Sequence, residues 1–542
     1  MSQIQSPAQQ KSSRLVLTEK DNGIDLTAFS HVEELYCNNV KGIRNLHKLV
    51  NLKRLICVNT DITNVDALVN LEYLKCSDTR IKSVSTLRKL KKLICHNTPI
   101  SDVSMLTNLE YLSCHGSGIK YFNTLVNLEI LKCQDIEKLD VNSCTKLKYL
   151  VCVKCTVKPI TITTLEVLIC NSSDIVEVNH LVNLIKLSCI DTRIRDVSNL
   201  IKLKHLSCFN SYISKVNHLV ELEYLSTNNN MVCEVNNLVN LIEATLYNTS
   251  VTDVSNLTKL KRLVCCYVGE HDHSHYQIQH KIKHVNMLIN LESLSISNSD
   301  VDNVDNLVNL KDLICNNTRI TRLNNNTKLT SLLCCYCKGI TDVSMLKKLC
   351  ELSCVDSGIT KVTNLPELVV LHGGNNVVEI YNVPKLKRLC LMSSDIENIN
   401  HLTSLEHLTC IRCKNIKDVS NLINLLTLSC NKTGIVDLSN NTKLRRLRCI
   451  MTKIKDISML TELISLACDK TPITDLSNNK KIEVLSCNNT KVENISYLTL
   501  LKQLICKRGA ITSVVDNKNL ETVVTSNKDM KGLDNVKNVK FG

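Results

Sequence analysis

The 542-residue chain has no Trp and only four Phe, and aromatic residues make up 3% of it. A core without large rings has to be filled by medium aliphatic side chains, and Leu, Ile, Val and Cys are plentiful. No stretch approaches the roughly 18 apolar residues of a membrane-spanning helix, and mean hydropathy near zero suits a soluble protein. The first residues, MSQIQSPAQQKSSR, hold no apolar h-region, so no secretory signal is expected there. No G-x-S-x-G, phosphate-binding Gly loop or H-E-x-x-H occurs. Cys95–His96 and Cys114–His115 look like nucleophile–base pairs, but strand alternation sends the Cys inward and the His outward. The sequence therefore points to no enzyme and no cofactor. Gly (13) and Pro (6) are scarce beside abundant Asn, Lys and Ile, the composition of an AT-rich genome such as that of a protist or a large DNA virus.

A short period fills the chain instead. From Cys76 to Cys95 the pattern is Cys76, Thr79, Ile81, Val84, Leu87, Leu90, Leu93, Cys95, and it recurs from Cys37 to Thr525. The core position is met 26 times, and 19 of the 25 intervals are nineteen residues long. Self-similarity at a fixed short period marks a stacked array in which each rung touches only its neighbours. Around Leu74-x-Cys76 the apolar residues alternate, the two-residue period of a strand. From Thr79 onward the spacing is too short and irregular for a helix, which leaves extended or 3₁₀ segments for the return. Stacked strands then form one long parallel sheet, weakly curved and twisted, about 125 Å long at a strand spacing near 4.8 Å.

The 29 cysteines resemble a disulfide scaffold until they are mapped. Twenty sit on the last inward position of a strand, where parallel thiols one strand apart lack the crossed geometry of a disulfide. They read as a thiol ladder packed as small hydrophobes, which places the protein in the reducing cytoplasm. Three residues after the core Cys stands a small polar residue, as at Thr60, Thr79, Thr98, Ser117, Ser173 and Thr192, able to satisfy backbone groups where the chain leaves the sheet. The C-x-x-C pairs Cys152/Cys155, Cys334/Cys337 and Cys410/Cys413 put their second Cys on this same position. Ladder packing explains them without a metal.

With Leu71, Leu74, Cys76, Thr79 and Ile81 in place of L-x-x-L-x-L-x-x-N-x-I/L, the chain resembles a leucine-rich repeat protein. Val84, Leu87 and Leu90 resemble the short repeats of the internalins and of the phosphatase-regulatory members of that family. The resemblance covers residues 35–525 and implies a non-catalytic recognition surface. Nineteen residues is just below the usual length, Cys replaces the last strand Leu, and Thr or Ser replaces the ladder Asn. The domain reading is a disordered tail at 1–13, an N-terminal cap at 14–36, the array at 37–525 and a shortened capping rung at 526–542. One-residue expansions follow Cys37, Cys334 and Cys410.

The expected function is a protein-interaction scaffold or regulator, binding on the outward face of the sheet. Its candidate contact residues are Ile56, Tyr73, Ile94, His96, Tyr111, Tyr149, Val151, Val153, Ile169, Phe209, Tyr224 and Tyr247, an apolar, Tyr-studded set with few charges. A secreted or surface adhesin of internalin type is an alternative. A second is metal or nucleic-acid binding through an insertion of about twelve residues near 268–284 and the basic surface. His271, His273, His275 and His280 of that insertion are candidate metal ligands. Net charge is +14, yet Lys and Arg are scattered among Asp and Glu and no basic run joins an aromatic cluster, so nucleic acid is not an expected partner. A monomer that binds an unidentified protein, with no membrane span, is the expectation.

Overall fold

The structure, a computed structural model, describes residues 12–228, 231–266 and 281–542. Each nineteen-residue period is one turn of a coil that contributes a short parallel strand, and the architecture is that of a leucine-rich repeat solenoid. The chain divides into two units, Met1–Leu260 and Lys261–Gly542. In the first, thirteen described strands run from Arg14–Val16 to Glu243–Leu246, each parallel to the next. Leu35, Leu55, Leu74, Leu93 and Leu112 lie directly opposite one another. In the second, fifteen described strands run from Arg262–Val264 to Asn538–Phe541 in the main sheet. A separate parallel pair there, Lys361–Thr363 with Glu379–Tyr381, lies outside that sheet.

One coil shows why the spacing works. Leu71, Leu74, Cys76, Ile81, Val84, Leu87 and Leu90 are all wholly buried. On the return, Leu68 donates its N–H to Val65 O (2.9 Å) and Leu71 to Leu68 O (3.0 Å). Two consecutive three-residue turns thus bring every third side chain inward. Named 3₁₀ segments among the described residues are confined to Glu19–Asp21, Thr27–Phe29, Leu46–Lys48 and Leu533–Asn535. The strands are mostly three residues long, shorter than the five or so that the apolar alternation suggests. The Cys76 N–H still reaches Ile94 O (2.9 Å), but Asp78 then takes φ 58° and turns the chain away. Asn39, Asn59 and Asn97 do the same in their coils, and their side chains join in an outer ladder, Asn59 to Asn39 and Asn97 to Asp78, both at 2.9 Å. Asn and Asp tolerate this left-handed conformation better than other residues with a β-carbon.

Inside, the polar ladder does what its residue types allow. Thr60, Thr79, Thr98 and Ser173 donate their hydroxyls to the carbonyl three residues back, Cys57, Cys76, Cys95 and Cys170, at 2.6–3.0 Å. The thiols donate across to the next coil, Cys37 to Ile56 O (3.6 Å) and Cys170 to Ser188 O (3.5 Å). All 29 cysteines are free thiols and 25 of them are buried. Residues 14–36 form a first coil whose strand pairs with Glu34–Tyr36, and Asn538–Phe541 pairs with Thr522–Thr525 at the other end. Among the described residues no helix is long and apolar enough to cross a membrane. Residues 1–11, most of the 268–284 insertion and all of His271, His273, His275 and His280 lie outside the described residues.

Candidate partner-binding face

Strand alternation turns three rows of side chains outward from the sheet of the first unit. The first row follows the register Arg54, Tyr73, Lys92, Tyr111, Ile130, Tyr149, Val167. The second runs Ile56, Lys75, Ile94, Ser113, Lys132, Val151, Ile169. The third, one residue past the core Cys, holds His96 and Val153. Ile56, Tyr73, Ile94, His96, Tyr111, Tyr149, Val151, Val153 and Ile169 are thereby gathered on seven consecutive coils. Phe209, Tyr224 and Tyr247 also face outward, but Lys186, Ser188 and Ser207 stand between them and that group. All twelve are half-buried rather than freely exposed, because each side chain leans on its neighbours one strand away.

Cations occupy this face as well, which the expectation of few charges passed over. The Arg54 guanidinium lies 4.2 Å from the centre of the Tyr73 ring, and Lys92 Nζ lies 5.5 Å from Tyr73 and 4.2 Å from Tyr111. Lys132 Nζ lies 5.7 Å from Tyr111 and 5.3 Å from Tyr149. Arg14 begins the series over Tyr36 at 4.3 Å. The aromatic faces attract the cations and the close packing fixes the rings, so the first row, with Lys132 reaching in from the second row beside Ile130, is a preorganised stack of charge and ring. Burial pushes the Tyr73 phenol above its ordinary value, while Arg54 pulls it the other way. The signal lay in the sequence as Arg54, Tyr73, Lys92 and Tyr111 alternating at nineteen-residue steps, while Lys132 stands off that step; only the register makes it a stack.

A polar node sits beside the stack. His96 Nε2 and Ser113 Oγ are 2.7 Å apart, and the His96 N–H donates to Ser77 Oγ at 3.2 Å. The His115 ring meets His96 edge-on at 6.3 Å, and the His115 Nδ1 is buried without a partner. Burial first, then His115, holds His96 below its ordinary pKa.

The remaining cysteine candidates resolve into packing. Cys155, Cys337 and Cys413 are buried on the hydroxyl-ladder position. Cys337 donates to Cys315 O at 2.9 Å, the bond that Thr318 makes in its own coil. The Cys315 thiol and the Thr318 hydroxyl beside it hold Cys337 down to about 6, while Cys315 itself is pushed up. Cys335 is half-buried and Cys350 exposed. Among the described residues no three His, Cys, Asp or Glu side chains gather as a metal would need.

No protein-family model matches the chain. No curated protein matches it either. Solved structures with a similar course include an internalin, InlF, from Listeria monocytogenes at 19% identity, over 56% of this chain and 88% of that one, with a TM-score of 0.35. The functional domain of InlJ from Listeria monocytogenes, described as including a cysteine ladder, matches at 21% identity over 86% of this chain and 75% of that one, TM-score 0.28. The plant peptide hormone receptor RGFR1, in complex with RGF2, matches at 14% identity over 98% and 92%, TM-score 0.48.

Proposed function

We propose that this protein is a non-enzymatic interaction scaffold or regulator that binds a protein partner on the outward sheet face of its first unit. The observation that carries the reading is the stack Arg54–Tyr73–Lys92–Tyr111–Lys132–Tyr149, flanked by Ile56, Ile94, Val151 and Ile169. Aromatic and aliphatic side chains held in place by their neighbours lose little conformational freedom on binding, and Tyr with Arg is the composition of interface hot spots. Buried thiols that keep their protons favour a reducing cytoplasm, and binding as a monomer leaves the whole face open to a partner.

The test is affinity capture from native cytosol with wild type and with Ile94→Asp/Tyr111→Asp. Both side chains point outward, and an Asp at 111 stands between Lys92 and Lys132, so circular dichroism is expected to be unchanged. Loss of a captured protein by at least tenfold in the variant is the expected result. Equal capture by both forms places binding elsewhere and removes this assignment.

A further inference from the structure

The left-handed turn position is mostly Asn or Asp, but in four of the six coils from Cys410 to Cys506 it is a cation. Arg412 (φ 61°), Lys432 (φ 59°), Lys470 (φ 56°) and Arg508 (φ 51°) stand there, with Met451 and Asn489 in the two coils between, whereas the first unit has Lys154 among residues such as Asn39, Asn59, Asp78 and Asn97. A long side chain is disfavoured at positive φ, yet these coils carry one there. Stacking sets these exposed cations in one row along the edge of the sheet. Lys414, Lys453 and Lys491, also exposed, form a second row two residues further on. Within each row these residues lie twenty or more apart in sequence and form no basic run; in space they form a stripe.

The carboxylates near the stripe are engaged with backbone N–H groups and polar side chains and form no ion pair with its cations. The ion pairs of these coils, Lys481–Glu462 (2.6 Å) and Lys502–Glu483 (2.8 Å), sit at the opposite ends of the strands. Asp469 is committed to Ser486 Oγ (2.7 Å) and to the Asn488 N–H (2.9 Å). The acidic row beyond, including Asp418, Asp437 and Asp456, turns back to accept the N–H two residues on at 2.8–2.9 Å. Among the described residues, none of the seven cations forms an ion pair.

Interfaces between proteins are depleted in Lys and enriched in aromatic residues, whereas nucleic-acid interfaces are strongly basic and gain affinity by releasing counterions from phosphates. Neither row contains a Tyr or Phe on which an unpaired base could stack. The six coils from Cys410 to Cys506 span about 24 Å at a spacing near 4.8 Å, the length of roughly seven base pairs. We propose that this edge of the second unit binds the phosphate backbone of a nucleic-acid duplex without reading its sequence. It is a site independent of the partner face on the first unit.

The test is fluorescence anisotropy of a labelled random-sequence DNA duplex with the full chain, between 50 and 200 mM salt. Wild type is expected to bind, with affinity falling steeply as salt rises. The variant Arg412→Asn/Lys432→Asn/Lys470→Asn/Arg508→Asn installs the residue the first unit prefers at this φ. Its melting temperature is expected to hold or rise, its affinity to fall at least about tenfold, and its log–log salt slope to become shallower by about 3.6. Removing the same charge from the first unit, by Lys89→Asn/Lys146→Asn/Lys202→Asn/Lys259→Asn, is expected to leave affinity within about twofold. The proposal is overturned if wild type fails to bind at 50 mM salt, or if the two variants lose affinity equally. It is overturned too if poly-glutamate displaces the duplex as well as unlabelled duplex does, since the edge would then suit an acidic protein.

Discussion

Raising the pH from 8 to 11 in the presence of a reductant is expected to unfold the protein cooperatively and reversibly. Burial pushes the Cys37, Cys95, Cys170 and Cys354 thiols up to about 12, and burial with neighbouring thiols raises Cys57, Cys76 and Cys114 well above their ordinary value. In the unfolded chain the same groups ionise near 9. A group whose pKa is raised by folding gives its full stabilisation below the unfolded value and loses it as pH climbs toward the folded one. The window is therefore pH 9 to 12. At pH 10 a thiol held at about 12 forfeits about 1.4 kcal/mol, one unit's worth. The other core-position thiols described above are raised in the same direction by burial, so the loss accumulates along the array. Ellipticity followed against pH is expected to fall in one step with its midpoint below 11. Replacing Cys57, Cys76, Cys95 and Cys114 by Val is expected to move that step upward and to isolate the thiols from Lys and Tyr titration. Thiolate absorbance growing in while ellipticity stays constant would mean that the thiols meet water in the folded state.

Substituting Gly358 by Ala is expected to destabilise the second unit by about 3 kcal/mol, the upper range for overpacking. A β-carbon at Gly358 would stand 2.3 Å from Lys338 O and 2.8 Å from Ile340 O, both backbone atoms that cannot swing aside. Lys338 belongs to the coil with one extra residue after Cys334, and that residue pushes a carbonyl into the space the next coil would use. The same holds at Gly434, where a β-carbon would meet Lys414 O at 2.8 Å, after the expansion that follows Cys410. Deleting Lys338 restores the nineteen-residue spacing and is expected to recover more than half of the loss in the Gly358→Ala background. Urea unfolding of the single and double variants measures both quantities. Absence of rescue would detach the glycine from the expansion.

The period, the inward positions and the hydroxyl ladder were legible because each repeats one residue class at a fixed step, as at Leu74, Cys76, Thr79 and Ile81. The left-handed turn was not. Asn39, Asp78, Ser172, Lys432 and Met451 all fill that position, so no residue type announces it. Short strands follow from the same turn, which cuts the alternation after the core Cys. At the candidate face, alternation identified the outward aliphatic and Tyr positions, while Lys92 and Lys132 passed as ordinary solvated charges until the register set them over Tyr rings. The basic stripe was hidden in the same way, since the distance between its members in sequence is the whole coil. Four buried asparagines, Asn326, Asn441, Asn479 and Asn517, stand where other coils have Leu and donate to two carbonyls of the preceding coil at 2.9–3.0 Å. Polar type alone would have placed them outside.

The partner face is tested most directly by site-specific photo-crosslinking in native cytosol. A benzoyl-phenylalanine at Tyr111 samples the stack, and one at Tyr121 samples the return side of the same coil, where the side chain is 80% exposed. The account predicts a discrete protein adduct from position 111, absent from position 121 and lost when Ile94→Asp is added. An adduct from position 121 alone, or the same adduct from both positions, would contradict it.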